Sequence, residues 1–120
     1  MTPLELAICY MEIFFSGKDL DRLEAILHEE FQFRGPFYQF HSAQEYIACL
    51  KADPPVDCSY NINHTFEKNN VANLIYSFSK PGVSTTMSQL FEARDNKIVK
   101  MVLIFDREAF ADNAKIADGD

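Results

Sequence analysis

Apolar side chains alternate with polar ones from Asp57 to Asp106, a pattern typical of β-strands that bury one face. The alternation predicts four strands, over residues 57–68, 71–79, 84–94 and 97–106. Short sequences that favour turns separate them: Asn69-Asn70, Lys80-Pro81-Gly82 and Asp95-Asn96. Because the turns are short, these strands are expected to form one antiparallel sheet.

The residues before this block carry the spacing of helices. Thr2, Pro3 and Glu5 match a capping box with proline at the first helical position, and Gly17 marks the end of this first helix. A second, short helix is predicted from Asp19 onward. Its apolar side chains are Leu20, Leu23, Ile26 and Leu27, and His28 is expected near its end, where a cation favours the helix dipole.

A short strand and a third helix complete the predicted N-terminal half. Residues 31–34 alternate like a strand, which ends at Gly35-Pro36. Ser42 and Glu45 match a second capping box, opening a helix to about Lys51. This order predicts an α+β fold in which a curved antiparallel sheet has helices on its concave side. We expect one domain over residues 1–112 and a disordered tail over residues 113–120.

Charge and composition narrow the classes of function. The net charge is −7 and no basic run occurs, so neither nucleic acid nor an anionic membrane surface is an expected partner. No apolar run reaches the ~20 residues that span a bilayer. Cys9, Cys49 and Cys58 lack C-x-x-C spacing, and we interpret them as small buried hydrophobic residues of a reducing compartment. We predict a cytoplasmic protein without metal or cofactor.

The last predicted strand is apolar on both faces. Met101 and Leu103 fall on one face, whereas Val102 and Ile104 fall on the other. Helices can cover only one of these faces, so the second is expected to contact another subunit. A homodimer is therefore predicted.

The layout resembles the nuclear transport factor two-like superfamily, also called SnoaL-like or ketosteroid isomerase-like. The resemblance covers about residues 3–110 and rests on short sequences near the ends of the predicted elements. These are Tyr10 seven positions before Gly17, Gly17-Lys18-Asp19-Leu20-Asp21, Gly35-Pro36, Asn96-Lys97-Ile98-Val99 and Ile104-Phe105-Asp106-Arg107-Glu108-Ala109-Phe110. The resemblance implies a cone-shaped, cystatin-like α+β barrel. It does not fix the activity, since the superfamily includes isomerases, hydrolases, cyclases and non-catalytic binding proteins.

Comparison with two enzymes of the superfamily sets expectations for the site. Tyr10 falls on the position of the isomerase's oxyanion-hole tyrosine, and Gln89 on that of its protonated aspartic acid. Its general base falls on Gly35, so steroid isomerase activity is not expected. The epoxide hydrolase branch has a carboxylate–arginine–carboxylate set on its later strands. Gln89, Phe91 and Leu103 stand on the inward positions there, which predicts that this set is absent.

Tyr10 and Gln89 are the candidate catalytic residues, through hydrogen bonds to a ligand in an apolar pocket. The alternatives are a core tyrosine for Tyr10 and a structural hydrogen bond for Gln89, which should have Tyr10 or a ligand as its partner. The candidate ligand-binding residues are Phe14, Arg34, Phe40, His41, His64, Leu74, Tyr76, Met87, Met101 and Leu103. His64 is either a base or, more often for a lone histidine on an apolar face, a satisfied core residue.

Two functions from different classes remain open from the sequence. The first is binding, and possible transformation, of a small, mostly apolar molecule in a pocket between helices and sheet, where catalysis would depend on hydrogen-bond polarisation. The second is a non-catalytic dimeric association module whose pocket is filled by its own side chains. Asp106 is expected either to cap the C-terminal segment or to act at the pocket mouth.

Overall fold

The computed structural model describes residues 1–111, so residue 112 and the predicted tail lie outside the described part of the chain. The helical elements are α1 (Pro3–Ser16), a 3₁₀ helix (Leu20–Ala25) and α2 (Ala43–Ala52). The strands are β1 (Leu27–Arg34), β2 (Gln39–Phe40), β3 (Ser59–Lys68), β4 (Val71–Lys80), β5 (Val83–Arg94) and β6 (Lys97–Ile104). None of the helices within residues 1–111 is both long enough and apolar enough to cross a membrane.

The strands form one curved, unclosed sheet in the order β2-β1-β6-β5-β4-β3, with the helices inside its concave face. This arrangement confirms the predicted α+β cone. The antiparallel prediction is wrong for one pair, because β1 runs parallel to β6. The other four neighbouring pairs are antiparallel. The chain from β2 through β5 separates β1 from β6, and this long connection allows the parallel pairing.

The first helix begins and ends as its sequence predicts. The Thr2 hydroxyl accepts a hydrogen bond from the Glu5 backbone, and the Glu5 carboxylate accepts one from the Thr2 backbone. At the other end, Gly17 has a φ of +65°, a backbone conformation that residues with a side chain rarely adopt. A Cβ on Gly17 would lie 2.5 Å from the Pro55 carbonyl oxygen, so only glycine allows this close approach.

Alternation along the strands buries one face against α1. Leu6, Ala7 and Met11 of the helix are at most 1% exposed, and they share the core with Leu74 and Met101 of the sheet. The predicted faces of β4 are confirmed: Ala72, Leu74 and Tyr76 are buried, whereas Ser77 and Ser79 are exposed. The concave face of the sheet therefore forms most of one side of the hydrophobic core.

The second helix is shorter than predicted. It ends before Ile26, whose carbonyl accepts a hydrogen bond from the Ile98 backbone at 2.7 Å. Leu27 already pairs with Ile98, so β1 begins there rather than at residue 31. His28 consequently lies in β1, and its predicted role at a helix end is wrong. Its Nδ1 accepts a bond from the Glu30 backbone, and its Nε2 lies 3.4 Å from an Asp95 carboxylate oxygen.

Two of the later strands are slightly shorter than the alternation predicts. β3 begins at Ser59, because Asp57 adopts a left-handed conformation with φ of +53°. β6 ends at Ile104, and the chain then turns. An Asp106 carboxylate oxygen accepts a bond from the Glu108 backbone at 2.9 Å, which matches the capping role considered for it.

Candidate functional site

A cavity of about 250 Å³ lies between α1, α2 and the concave face of the sheet. Its walls are mostly aromatic and aliphatic. The lining side chains include Tyr10, Phe14, Phe15, Phe33, Phe37, Tyr38, Phe40, Tyr46, Cys49, Leu50, Asp53, Tyr76, Phe78, Met87, Gln89, Leu103, Phe105 and Phe110. Gly35 and Pro36 complete the wall after β1. An enclosure with few polar groups favours a ligand that is itself largely apolar.

The buried polar side chains of the cavity wall lie close together, whereas Tyr38, Cys49 and Asp53 are exposed. The Tyr10 and Tyr46 hydroxyl groups lie 2.5 Å apart and share a hydrogen bond. The Tyr76 hydroxyl donates to the Gln89 side-chain oxygen at 2.7 Å, and the Gln89 amide nitrogen lies 2.8 Å from the Met101 sulfur. The three tyrosines and Gln89 are each no more than 3% exposed. We call these four residues the inner polar cluster.

Burial keeps the three tyrosine hydroxyl groups protonated. It raises the pKa of Tyr10 well above its usual value, and the neighbouring Tyr46 raises it further. The pKa values of Tyr46 and Tyr76 are raised as well, mainly because a phenolate would lose its hydration there. Near neutral pH these groups are therefore hydrogen-bond donors and acceptors rather than bases. The bond between Tyr10 and Tyr46 uses only one of their two hydroxyl hydrogens.

Aromatic packing fixes the cluster in place. The Tyr10 ring stacks on Phe14 and meets Phe91 edge to face, both with centroids 5.6 Å apart. The Tyr46 ring stacks on Phe33 at 5.2 Å and contacts Phe40 at 5.3 Å. Because each ring is packed on two sides, the two hydroxyl groups are already oriented before a ligand binds. Binding would therefore cost little side-chain conformational entropy.

Seven of the residues predicted for the site line this cavity. They are Tyr10, Phe14, Phe40, Tyr76, Met87, Gln89 and Leu103. The inward orientation predicted for Gln89, Phe91 and Leu103 is also what the structure has. The partner of Gln89 differs from the expectation. Its side-chain oxygen accepts a hydrogen bond from the Tyr76 hydroxyl. Tyr76 is on β4 and pairs with Met87 of β5, which is two residues from Gln89 on the same face of the sheet.

His64 lies away from the cavity, contrary to prediction. The β3–β4 register shifts between Ile62 and His64, so Ile62 pairs with Tyr76 but His64 pairs with Ile75. This bulge moves His64 to the outer face, where it is exposed and stacks on Phe66. A strict alternation from Tyr60 onward cannot reveal a one-residue insertion of this kind.

The other four predicted binding residues are also outside the cavity wall. Arg34 is exposed and pairs with Val102, whose side chain belongs to the outer face, and His41 is exposed before α2. Leu74 and Met101 do point inward, but both are 0% exposed and belong to the packed core behind the wall. Their contribution is to the core, apart from the contact of Met101 with Gln89.

Tyr46 is the main residue that the sequence reasoning did not assign to the site. Tyr46 lies on the buried face of α2, but no local pattern in the sequence indicates that its hydroxyl meets Tyr10 across the cavity. Cys49, one turn further along α2, lines the same wall and is exposed. The prediction that all three cysteines are buried is therefore wrong, since Cys9 and Cys58 are also only half-buried.

Within residues 1–111, no three or more His, Cys, Asp or Glu side chains are grouped as metal ligands would be. The inner polar cluster consists of hydroxyl and amide groups with neutral charge. Its chemistry is donation of hydrogen bonds to an acceptor inside an apolar enclosure, where such bonds are stronger than in water.

No protein-family model matches the sequence, and no curated protein matches it either. Solved structures do resemble the fold. An NTF2-like protein of unknown function from Cytophaga hutchinsonii superposes with a TM-score of 0.79 at 20% identity, covering 92% of this chain and 96% of that one. A candidate SnoaL-like polyketide cyclase from Shewanella denitrificans gives 0.80 at 15% identity, covering 95% and 97%.

A candidate ketosteroid isomerase from Kribbella flavida is more distant. It superposes with a TM-score of 0.74 at 13% identity, covering 85% of this chain and 76% of that chain. At these sequence identities the similarity shows a shared fold. It does not assign the activities of the neighbours to this chain. The chain has the nuclear transport factor two-like fold that SnoaL-like and ketosteroid isomerase-like proteins share.

Proposed function

We propose that the protein binds a small, mostly apolar molecule carrying one hydrogen-bond acceptor, with the acceptor at the inner polar cluster. The observation that carries this proposal is the set of buried, neutral donors at the closed end of an otherwise apolar cavity. Tyr10 and Gln89 are the proposed polar contacts, and Tyr46 joins them through its bond to Tyr10. Phe14, Phe40 and Leu103 would supply apolar contacts.

The donor count favours an acceptor such as a carbonyl oxygen. One hydroxyl hydrogen of the Tyr10–Tyr46 pair is not used within the pair, and Gln89 retains a second amide hydrogen. A ligand oxygen could accept both. If a reaction takes place in the pocket, we propose that it depends on polarisation of that oxygen, because Gly35 occupies the position that the resemblance assigns to the base.

The same observations argue against the alternative of a filled pocket. An association module would pack its own side chains into the space that the 250 Å³ cavity occupies. The names of the Shewanella and Kribbella neighbours, a polyketide cyclase and a ketosteroid isomerase, also favour small organic molecules as ligands of this fold. Neither name identifies the ligand of this chain.

A thermal-shift screen of small apolar ketones and phenols tests the proposal. A ligand that binds only the folded state raises the midpoint of unfolding. The double variant Tyr10→Phe/Gln89→Leu should lose this response to ketones. The matched control Tyr60→Phe/Gln32→Leu makes the same chemical changes at two residues that do not line the cavity, and it should keep the response. An unchanged response in the first variant would show that the cluster is not the contact.

We also propose that the protein is a cytoplasmic homodimer whose subunits meet through the outer face of the sheet. Ile104 is 61% exposed on that face, and the half-buried Val102 and Leu90 lie opposite each other beside it. Burial of such an apolar patch against a second subunit would be favourable. The three free cysteines are consistent with a reducing compartment.

A further inference from the structure

The segment after β6 folds over the outer end of the cavity. Phe105 and Phe110 both line it, and their ring centroids are 5.0 Å apart. The Phe110 ring also contacts Phe37 at 5.7 Å and Phe78 at 6.0 Å. Phe110 thus lies between the β1–β2 connection and β4, where it forms part of the cavity wall.

Side chains rather than a strand ladder hold this segment in place. Among residues 105–111, the backbone hydrogen bonds are local, such as those from Phe110 and Ala111 to the Arg107 carbonyl. Within residues 1–111, its other contacts include aromatic pairs and two cations over rings: Lys80 Nζ lies 5.3 Å from the Phe110 centroid, and Arg107 Cζ lies 5.3 Å from the Phe37 centroid. Such a segment can separate from the sheet without unfolding it.

The size of the closed cavity limits what it can hold. An apolar cavity of roughly 150 Å³ accommodates one benzene ring. A cavity of 250 Å³ therefore suits a one- or two-ring molecule, and a longer ligand would reach the Phe110 ring. Displacement of Phe110 would widen the cavity on the side of Phe37 and Phe78.

We propose that residues 105–111 form a flap that opens independently of the sheet, and that Phe110 limits the length of the ligand. The size limit rests on the proposed binding function, whereas the opening of the flap does not. Lys80 and Arg107 add to the aromatic contacts that hold the flap closed.

The opening of the flap is tested without ligand. The chain contains no tryptophan, so Phe110→Trp introduces a single fluorescent reporter that keeps an aromatic ring beside Lys80. With increasing urea, its emission should shift to the red and its quenching by acrylamide should rise before the circular dichroism of the sheet changes. Lys80→Gln in this background should move the first transition to lower urea. Coincident transitions in both proteins would overturn independent opening.

The size limit is tested with two aromatic ketones, 2-acetylnaphthalene with two rings and 1-acetylpyrene with four. The wild type should bind the four-ring ketone at least tenfold more weakly than Phe110→Ala does, while both bind the two-ring ketone similarly. Phe66→Ala removes an exposed ring on the outer face and serves as the control. Equal affinity of Phe110→Ala and Phe66→Ala for 1-acetylpyrene would overturn the size limit.

The two experiments separate the proposals. If neither ketone, nor any other compound of the screen, binds the wild type, the proposed function and the size limit both fail. The tryptophan reporter then still decides whether the flap opens. If a ketone binds and the reporter shows coincident transitions, the binding function stands and the flap is rejected.

Discussion

The two faces of the sheet carry similar hydrogen bonds in opposite environments. On the concave face, Tyr76 donates to Gln89 and both side chains are 2% exposed. On the outer face, Asn73 donates to Ser88 at 3.1 Å, with both residues half-buried. When such a bond is broken in a single subunit, water can replace the lost partner on the outer face but not on the concave face. The comparison therefore predicts that similar substitutions on the two faces lower the free energy of unfolding by different amounts. Neighbouring residues of one strand point to opposite faces and provide the test.

The largest difference is expected between Leu74 and Ile75. Leu74 is 0% exposed on the concave face, whereas its neighbour Ile75 is half-buried on the outer face. Leu74→Ala should lower the free energy of unfolding by about 2–5 kcal/mol, because it leaves a cavity in the core. Ile75→Ala should cost about 1 kcal/mol. Urea unfolding measures both, and equal costs would contradict the assignment of faces.

The next difference concerns two hydroxyl groups. Tyr76→Phe leaves the Gln89 oxygen without its donor and should cost about 1–3 kcal/mol. Ser77→Ala removes an exposed hydroxyl that accepts a bond from Asn63, and should change the free energy of unfolding by no more than about 0.5 kcal/mol. In a double-mutant cycle, Tyr76→Phe/Gln89→Leu should cost less than the sum of the two single changes, since the pair is removed together.

Alkaline pH should act mainly through the buried tyrosines of the concave face. The pKa values of Tyr10, Tyr46 and Tyr76 are raised in the folded state, so the native protein keeps protons that the unfolded chain releases above pH ~10. Their contribution to stability is complete below pH ~10 and is lost as the pH rises further, by about 1.4 kcal/mol per pH unit for each group.

Urea unfolding between pH 8 and 11.5 measures this loss. Tyr46→Phe removes one of the three raised pKa values, so the loss of stability with pH should be smaller by one proton. A Tyr46→Phe protein with the wild-type slope would show that this hydroxyl is not protonated and buried as described.

The smallest effect on the subunit itself is expected at Ile104. Because its side chain is 61% exposed, Ile104→Ser should change the free energy of unfolding of a single subunit by about 0.5 kcal/mol or less. If the outer face is a subunit interface, the same change should convert a dimeric mass to a monomeric one in light scattering at micromolar concentration. A monomeric wild type under these conditions would remove the dimer proposal.

The sequence predicts the regular parts of the fold well. The capping box at Thr2 and the glycine after α1 depend on local backbone geometry, and the alternation along β4 depends on one buried face, so both are visible in the sequence. The predictions are wrong where a contact between residues far apart in sequence determines the local structure. Pairing of Leu27 with Ile98 shortens the second helix, and the bulge before His64 moves that side chain to the other face.

The site was predictable only in part for the same reason. Tyr10, Tyr76 and Gln89 stand on inward positions of their own elements, which a periodic pattern can assign. The contact between the Tyr10 and Tyr46 hydroxyl groups joins residues 36 positions apart. It depends on how closely α2 approaches α1, and no spacing within either helix records that distance.

The parallel pairing of β1 with β6 has a consequence for the order of assembly. Phe33 of β1 lies opposite Met101 of β6, so the first long strand waits for nearly the last residues of the sheet to be made. Until then a growing chain can close the β1–β2 hairpin and the hairpins of β3, β4 and β5, whose partners are near in sequence. Contacts of such long separation slow folding, and a ribosome-bound chain should stay without its complete aromatic interior until β6 has been made.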